Sequence, residues 1–320
     1  MIPTHKIALA KTSSSLGWLL VALGAHTGWG LYPVFARYLQ TVSHVPTFAL
    51  IALGNIIVLV FVAIFYLPHI PRRVYQMPVL WLFAAAAAAR SITNVLASRY
   101  TLAIYVQLIG LLTPFFVALL GKTFLKERTP RFTGVALTLS TLGSALMIGA
   151  DADGMGLTSN LREGDWLGIL LALASTIFLA IYMVLIRRSA QKNISSEAIL
   201  ATQIITLTIV MGGLSVSVGE NWGSWFALAP SDWAVFITFV VVALFGANIG
   251  QISALKHISA SLLSSVMPWR MVSALAGGFL LLGERFTSPW QVLGALIVVG
   301  TVTWYLWQQQ TPSKPVPLAE

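Results

Sequence analysis

The sequence predicts an all-α membrane protein of ten transmembrane helices, arranged as two inverted five-helix repeats. Three observations carry this reading. Apolar runs of about 20 residues recur along the chain, the length that crosses a hydrocarbon core of about 30 Å. Only 9% of the residues are charged, against roughly 25% in a soluble domain. Segments of the second half also echo segments of the first at a nearly constant offset. β-Barrel strands would be about 10 residues long with alternating polarity, and these runs do not alternate.

The spans fall at about 16–38, 47–67, 78–98, 101–121, 131–150, 165–187, 196–218, 232–254, 258–282 and 288–308. Pro68 and Pro71 bracket the loop after the second span, and Pro130 marks the loop before the fifth. The stretch Asp151–Asp165 is acidic and carries glycine; Gly219–Asp232 is the other long polar break. Trp18, Trp81, Trp166, Trp222, Trp225, Trp233, Trp290, Trp304 and Trp307 gather near predicted ends, as an interfacial aromatic belt requires. The N-terminal stretch MIPTHKIALAKTSSS is short and polar and lacks a signal-peptide cleavage pattern. With the N-terminus inside, 13 of the 19 basic residues collect on the cytoplasmic side. The positive-inside bias therefore predicts both termini in the cytoplasm, with a bacterial inner membrane as the expected location.

The chain has no cysteine, which excludes disulfide, zinc-thiolate and iron–sulfur chemistry. No cofactor is implied, and no ATP-binding loop occurs. The net charge of +9 reads as a topology signal, so a lipid bilayer and a small-molecule substrate are the expected partners and nucleic acid is not. A homodimer is a further candidate assembly.

A shift of 157 residues aligns Ala97 with Ala254, Arg99 with Lys256, Ala103 with Ala260, Glu127 with Glu284, Arg128 with Arg285 and Gly143 with Gly300. A shift of 150 aligns Tyr32 with Tyr182 and Arg37 with Arg187. The repeats are expected to occupy 1–150 and 151–320 of one integrated transmembrane domain. Five spans per copy turn the second copy upside down. Inverted repeats are a transporter architecture, with substrate held near the midplane between the halves.

These residues resemble a known family. Ala97-Ser-Arg-Tyr-Thr-Leu-Ala103, Thr113-Pro114 and Leu125-Lys-Glu-Arg128 look like the EamA-type repeat of the drug/metabolite transporter superfamily. The second copy is Ala254-Leu-Lys-His-Ile-Ser-Ala260, Met267-Pro268 and Leu282-Gly-Glu-Arg285. The resemblance covers nearly the whole chain and implies a ten-helix fold, alternating access and transport of small organic solutes. One departure is that Pro268 falls three residues before the position matching Pro114. Superfamily members carry many solutes, so membership does not name the substrate.

The residues that point to chemistry are Arg90 and Arg270, each about 12 residues into a span from the same side. At 1.5 Å per residue, both sit about 18 Å deep. An arginine at a span's centre costs about 2.5–3.5 kcal/mol on insertion scales, and the acidic residues within the predicted spans, Asp165, Glu197 and Asp232, sit only at their first or second positions. A planar guanidinium donates in pairs to carboxylate or phosphate, so the two arginines read as a clamp on an organic anion. The structural alternative is that they cap a broken helix. Arg270 in Met-Pro-Trp-Arg also resembles the basic residue that plastid-type sugar-phosphate translocators place in the ninth span.

Asn94 lies one helical turn from Arg90, and Gln251, Asn248 and Gln107 are further polar candidates at membrane depth. Trp29, Tyr32 and its repeat mate Tyr182 are candidates for lining the same cavity. His26, about 15 Å into the first span, is the candidate proton-coupling group, because histidine titrates near neutral pH. Glu127, Glu284 and the acidic 151–165 loop read as caps at water level. The leading function is a secondary transporter of small organic anions. The alternatives are an exporter of amino acids or drug-like metabolites, for which an intramembrane carboxylate would be expected, and, remotely, a membrane-embedded enzyme. No catalytic residue or metal ligand is assigned.

Overall fold

The computed structural model describes residues 5–124, 131–149, 164–191, 194–257, 266–286 and 288–310. Among these, every regular element is helical. The first half holds α1 (His5–Thr41), α2 (Thr47–Phe65), α3 (Pro78–Tyr100), α4 (Ala103–Gly110), α5 (Thr113–Phe124) and α6 (Thr133–Gly149). The second holds α7 (Asp165–Gln191), α8 (Ser196–Val218), α9 (Pro230–Thr238), α10 (Ala247–His257), α11 (Trp269–Gly277) and α12 (Pro289–Gln310). Eight stretches are long and apolar enough to cross a membrane, and the shorter apolar helices Thr133–Ile148 and Trp269–Leu282 fill the fifth and ninth places. The start of the predicted ninth span, 258–265, and Glu127 lie outside the described residues.

The fourth span is broken inside the apolar layer beside its proline. Proline lacks an N–H and clashes with the preceding turn, so α4 stops at Gly110 and α5 starts at Thr113 beside Pro114. Pro268 likewise precedes α11, after a tight turn in which Trp269 and Arg270 donate to Val266 and Met267 carbonyls. Such interruptions are tolerated in a membrane where they are buried in protein or line a cavity. The eighth span carries π-helical turns over Phe239–Gly246 between α9 and α10, and α11 ends in π-helical turns over Gly278–Leu282.

Helices pair across the two halves: α3 packs on α7, α2 on α8, α6 on α12, and α1 on both α10 and α11. The aromatic contacts show the repeat directly. Tyr32 meets Phe239 at 5.2 Å between ring centroids, and its mate Tyr182 meets Phe83 at 4.8 Å. Without a hydrophobic force between helices in lipid, close backbone approach does the packing. Gly30 is such a point, because a Cβ built there would sit 2.4 Å from the Arg270 carbonyl.

At the end of the bundle away from the N-terminus, polar groups tie helix ends together. Glu284 accepts from the Ala103 and Ile104 backbone N–H groups at 3.0 and 3.2 Å and pairs with Arg37 at 3.3 Å. Arg37 also donates to the Thr101 carbonyl. Glu220 accepts from Phe48 and Ala49 N–H at 3.0 and 2.8 Å. A carboxylate at a helix N-terminus satisfies orphan donors and complements the dipole. Glu284 is therefore a cap, as its sequence position suggests, but it is buried at 8% exposure rather than at water level. The closed packing of α1, α4 and α11 around it excludes solvent. The tryptophan belt needs one similar correction: Trp81, Trp166, Trp290 and Trp307 are exposed, whereas Trp225 is buried and stacked on Trp233 and Phe236.

Gly30→Ala should lower thermal stability by about 1–3 kcal/mol, because the added methyl forces α11 off α1. Gly24→Ala, at a site with nothing within 4 Å, should be neutral or stabilise by up to about 1 kcal/mol through helix propensity. Thermal unfolding of the two purified variants checks this; equal effects would show that the α1–α11 approach is loose.

Candidate functional site

Trp29 stands at the centre of the bundle, one turn before Tyr32 on α1. Two connected chambers meet there, sharing Trp29, Tyr32, Arg90 and Asn94. The first, about 400 Å³, is closed by Asn55 and Ile51 from α2, Gln203 and Leu207 from α8, and Leu244 and Asn248 from the eighth span. The second, about 450 Å³, is bounded by Gln107 and Gly110 of α4, Ser175 and Thr176 of α7, and Arg270 of α11. The α4–α5 break and the turn before α11 both border this second chamber.

Both arginines address the same indole. The Arg90 guanidinium carbon lies 4.9 Å from the Trp29 ring centroid and that of Arg270 lies 5.9 Å away, so the two carbons are within about 11 Å of each other. Arg90 also faces Tyr182 at 5.7 Å. Cation–π attraction of this kind contributes about 2 kcal/mol when desolvated. Arg270 is buried and donates through Nε to His26 Nδ1 at 2.8 Å. That bond requires a lone pair on Nδ1, so His26 is neutral here with its proton on Nε2.

Three polar atoms in this cavity are buried without a hydrogen-bond partner: Arg90 Nε, Trp29 Nε1 and Asn94 Oδ1. The local chemistry fixes how they are presented. Ser175 donates to the Arg90 carbonyl at 3.3 Å and accepts from Asn94 Nδ2 at 3.2 Å. The Asn94 amide nitrogen is thereby turned to α7, which leaves its oxygen over the cavity. A buried orphan donor or acceptor costs about 1–3 kcal/mol, so these two donors and one acceptor are held unpaired at the expense of stability. The described residues lining both chambers include no aspartate or glutamate.

Of the residues singled out by sequence, Arg90, Arg270, Asn94, Trp29, Tyr32, Asn248 and Gln107 line the cavity together. Tyr182 stands behind Arg90, and its hydroxyl donates to Gln203 Oε1 at 2.8 Å. His26 supports Arg270 from behind rather than lining a chamber. Gln251 is not among the lining residues; it lies nearly one turn beyond Asn248 on α10, where the helix has carried it away from Trp29. Asn55, Gln203, Ser175 and Thr176 were missed. Asn55 and Gln203 were open to the same reasoning that found Asn94, since each is an amide inside an apolar span. The two hydroxyls gave no signal, because serine and threonine satisfy themselves on their own helix at many positions here. The described side-chain hydrogen bond of Arg270 runs from Nε to His26 and not to a helix-end carbonyl.

Residues 16–149 and 166–307 each match the profile of the EamA-like transporter family. A solved crystal structure superposes with a TM-score of 0.58 at 17% identity, over 93% of this chain and 99% of that one. At that identity the likeness shows the fold alone. No curated protein matches the chain.

His26→Phe keeps the ring but removes the acceptor. It should cost about 1.5–3 kcal/mol by stranding a charged donor, and Arg270→Gln in the same chain should recover most of that loss. A double-mutant cycle on unfolding midpoints measures the coupling; strictly additive effects would show that the bond carries no energy.

Proposed function

Because the chain belongs to the EamA-like transporter family, whose members move small solutes across membranes, we propose that it is a secondary carrier of small organic anions. The observation that carries this reading is Arg90, with a buried Nε lacking a partner beside an equally orphaned Trp29 Nε1. Arg270, which lines the second chamber with Arg90, supplies the second positive charge. A carboxylate or phosphate between them would satisfy the donors and neutralise the charge in one step. An ammonium or zwitterion has no carboxylate to meet among the described lining residues, which disfavours the amino-acid exporter.

The charge also sets the transport mode. Moving an empty, doubly charged site past apolar gates costs several kcal/mol. A bound anion lowers that cost, so loaded carriers switch between alternating-access states more easily than empty ones. Exchange of one anion for another is the natural outcome, with the site near the interface of the repeats. Only His26 offers a titrating group at this depth, and in the present geometry its lone pair is committed to Arg270.

In proteoliposomes, internal unlabelled anion should accelerate uptake of the same radiolabelled carboxylate or phosphate ester, with little response to an imposed pH gradient. Arg270→Ala should insert normally but weaken apparent affinity by about 10–100-fold, the size of a lost charged hydrogen-bond pair. Arg270→Lys should restore only part, because an ammonium is a point charge without the planar fork. Unchanged transport by Arg270→Ala would refute the clamp. Strong pH-driven accumulation that His26→Gln abolishes would refute exchange.

A further inference from the structure

The cavity has two chemically different ends, and the second end specifies a substrate class. This inference rests on the anion reading above and deepens it. The chamber formed with α2, α8 and the eighth span carries amides and, apart from Arg90 at its junction, no charged side chain.

The orientation of those amides follows from their bonds. Asn55 Nδ2 donates to the Ile51 carbonyl at 2.8 Å, and Asn248 Nδ2 donates to the Leu244 carbonyl at 2.7 Å. A carbonyl oxygen accepts only from a donor, so each bonded atom is the amide nitrogen and each Oδ1 is the opposite arm. Asn94 is turned in the same way by Ser175. The Asn94 oxygen is buried without a partner, and the oxygens of Asn55 and Asn248, on two residues lining the same chamber, are the arms not bonded to their own helix. Gln203 has the reverse polarity: its Oε1 accepts from Tyr182, which leaves its Nε2 to donate. The Tyr182 ring also faces Arg90, so one tyrosine fixes both the donor of this chamber and the cation at its mouth.

We propose that this chamber binds a neutral group that both donates and accepts hydrogen bonds, an amide, carried on the same molecule as the acid held by Arg90 and Arg270. Its two N–H groups meet two of the oxygens of Asn55, Asn94 and Asn248, and its carbonyl meets Gln203 Nε2. A second carboxylate would set its charge against three acceptors. An apolar tail would leave those acceptors desolvated and unpaired, which a site built for hydrogen bonding rejects strongly. An ammonium would satisfy the oxygens but stand beside the Arg90 guanidinium.

The test is ligand-dependent thermal stabilisation of the purified full chain. The probes share one acid end and differ in the other, on chains of two, three and four methylenes: the ω-amide acids succinamate, glutaramate and adipamate; the matching methyl ketones; the matching diacids; and the matching ω-amino acids. At the best chain length, the amide should act at concentrations at least about ten-fold lower than the ketone, diacid or amino acid. Asn55→Ala with Asn248→Ala should erase that preference while the ketone's weaker effect persists, and Arg270→Ala should abolish stabilisation by all four. If the four tails act alike in an Arg270-dependent way, the amide assignment fails and the anion carrier stands. Preference for the diacid or the amino acid also overturns the assignment. If no carboxylate stabilises the protein at any length, the anion reading itself fails. The wild-type comparison of tails decides the matter even if a variant does not fold.

Discussion

A guanidinium inside a membrane must find something to do with its charge. That constraint organises the centre of this molecule. Arg90 and Arg270 converge on the Trp29 indole from α3 and α11, and the structure softens their cost without removing it. The ring face attracts both cations, and His26 takes one N–H of Arg270. The Nε of Arg90 is buried without a hydrogen-bond partner among the described residues. Elsewhere the protein shows what it does when it wants a buried charge balanced. Arg37 is given Glu284, and Glu284 is given two backbone donors. The contrast between these arginines, one neutralised at a helix junction and two left open at the centre, separates structure from function.

The scaffold supports this by breaking its own symmetry. The Tyr32–Phe239 and Tyr182–Phe83 pairs obey the repeat, as does the cross-packing of the halves. The charges do not: under the 157-residue shift, Arg90 falls on Ala247 and Arg270 on Thr113. A repeated skeleton thus carries an asymmetric candidate site. The broken fourth span and the turn before α11 bring α4 and α11 to the cavity wall. Gly28 and Gly30 let α1 approach the eighth span and α11 closely enough, with Cβ distances of 2.5 and 2.4 Å to their carbonyls, for one tryptophan to serve both arginines.

Much of this was legible in the sequence, and for physical reasons. Apolar length set the spans, and Pro268 pointed to an irregular ninth; the break of the fourth beside Pro114 is a finding of the structure. The expense of an intramembrane charge singled out Arg90 and Arg270 before any geometry was known. What the sequence hid depends on direction. A helical residue's face is known only to within its turn, so Gln251 looked as promising as Asn248 while lying nearly one turn too far along α10. Asn55 and Gln203, amides inside apolar spans, were within reach of the reasoning that found Asn94, but only the chamber between α2 and α8 brings them together. Burial of Glu284 and Trp225 follows from tertiary closure that composition does not record. The hydrogen bond from Arg270 to His26 spans 244 residues and joins two groups that sequence could only list separately.

The central claim is that the two arginines are kept for a ligand at the expense of stability, and one comparison tests it most directly. The double variant Arg90→Gln/Arg270→Gln and the parent should be unfolded side by side, with and without small carboxylates. Removing two buried charges should leave the ligand-free variant as stable as the parent or more so, while the carboxylate-dependent rise seen in the parent disappears. A variant that is markedly less stable without ligand, beside a parent that gains nothing from carboxylates, would make these arginines structural and contradict the account.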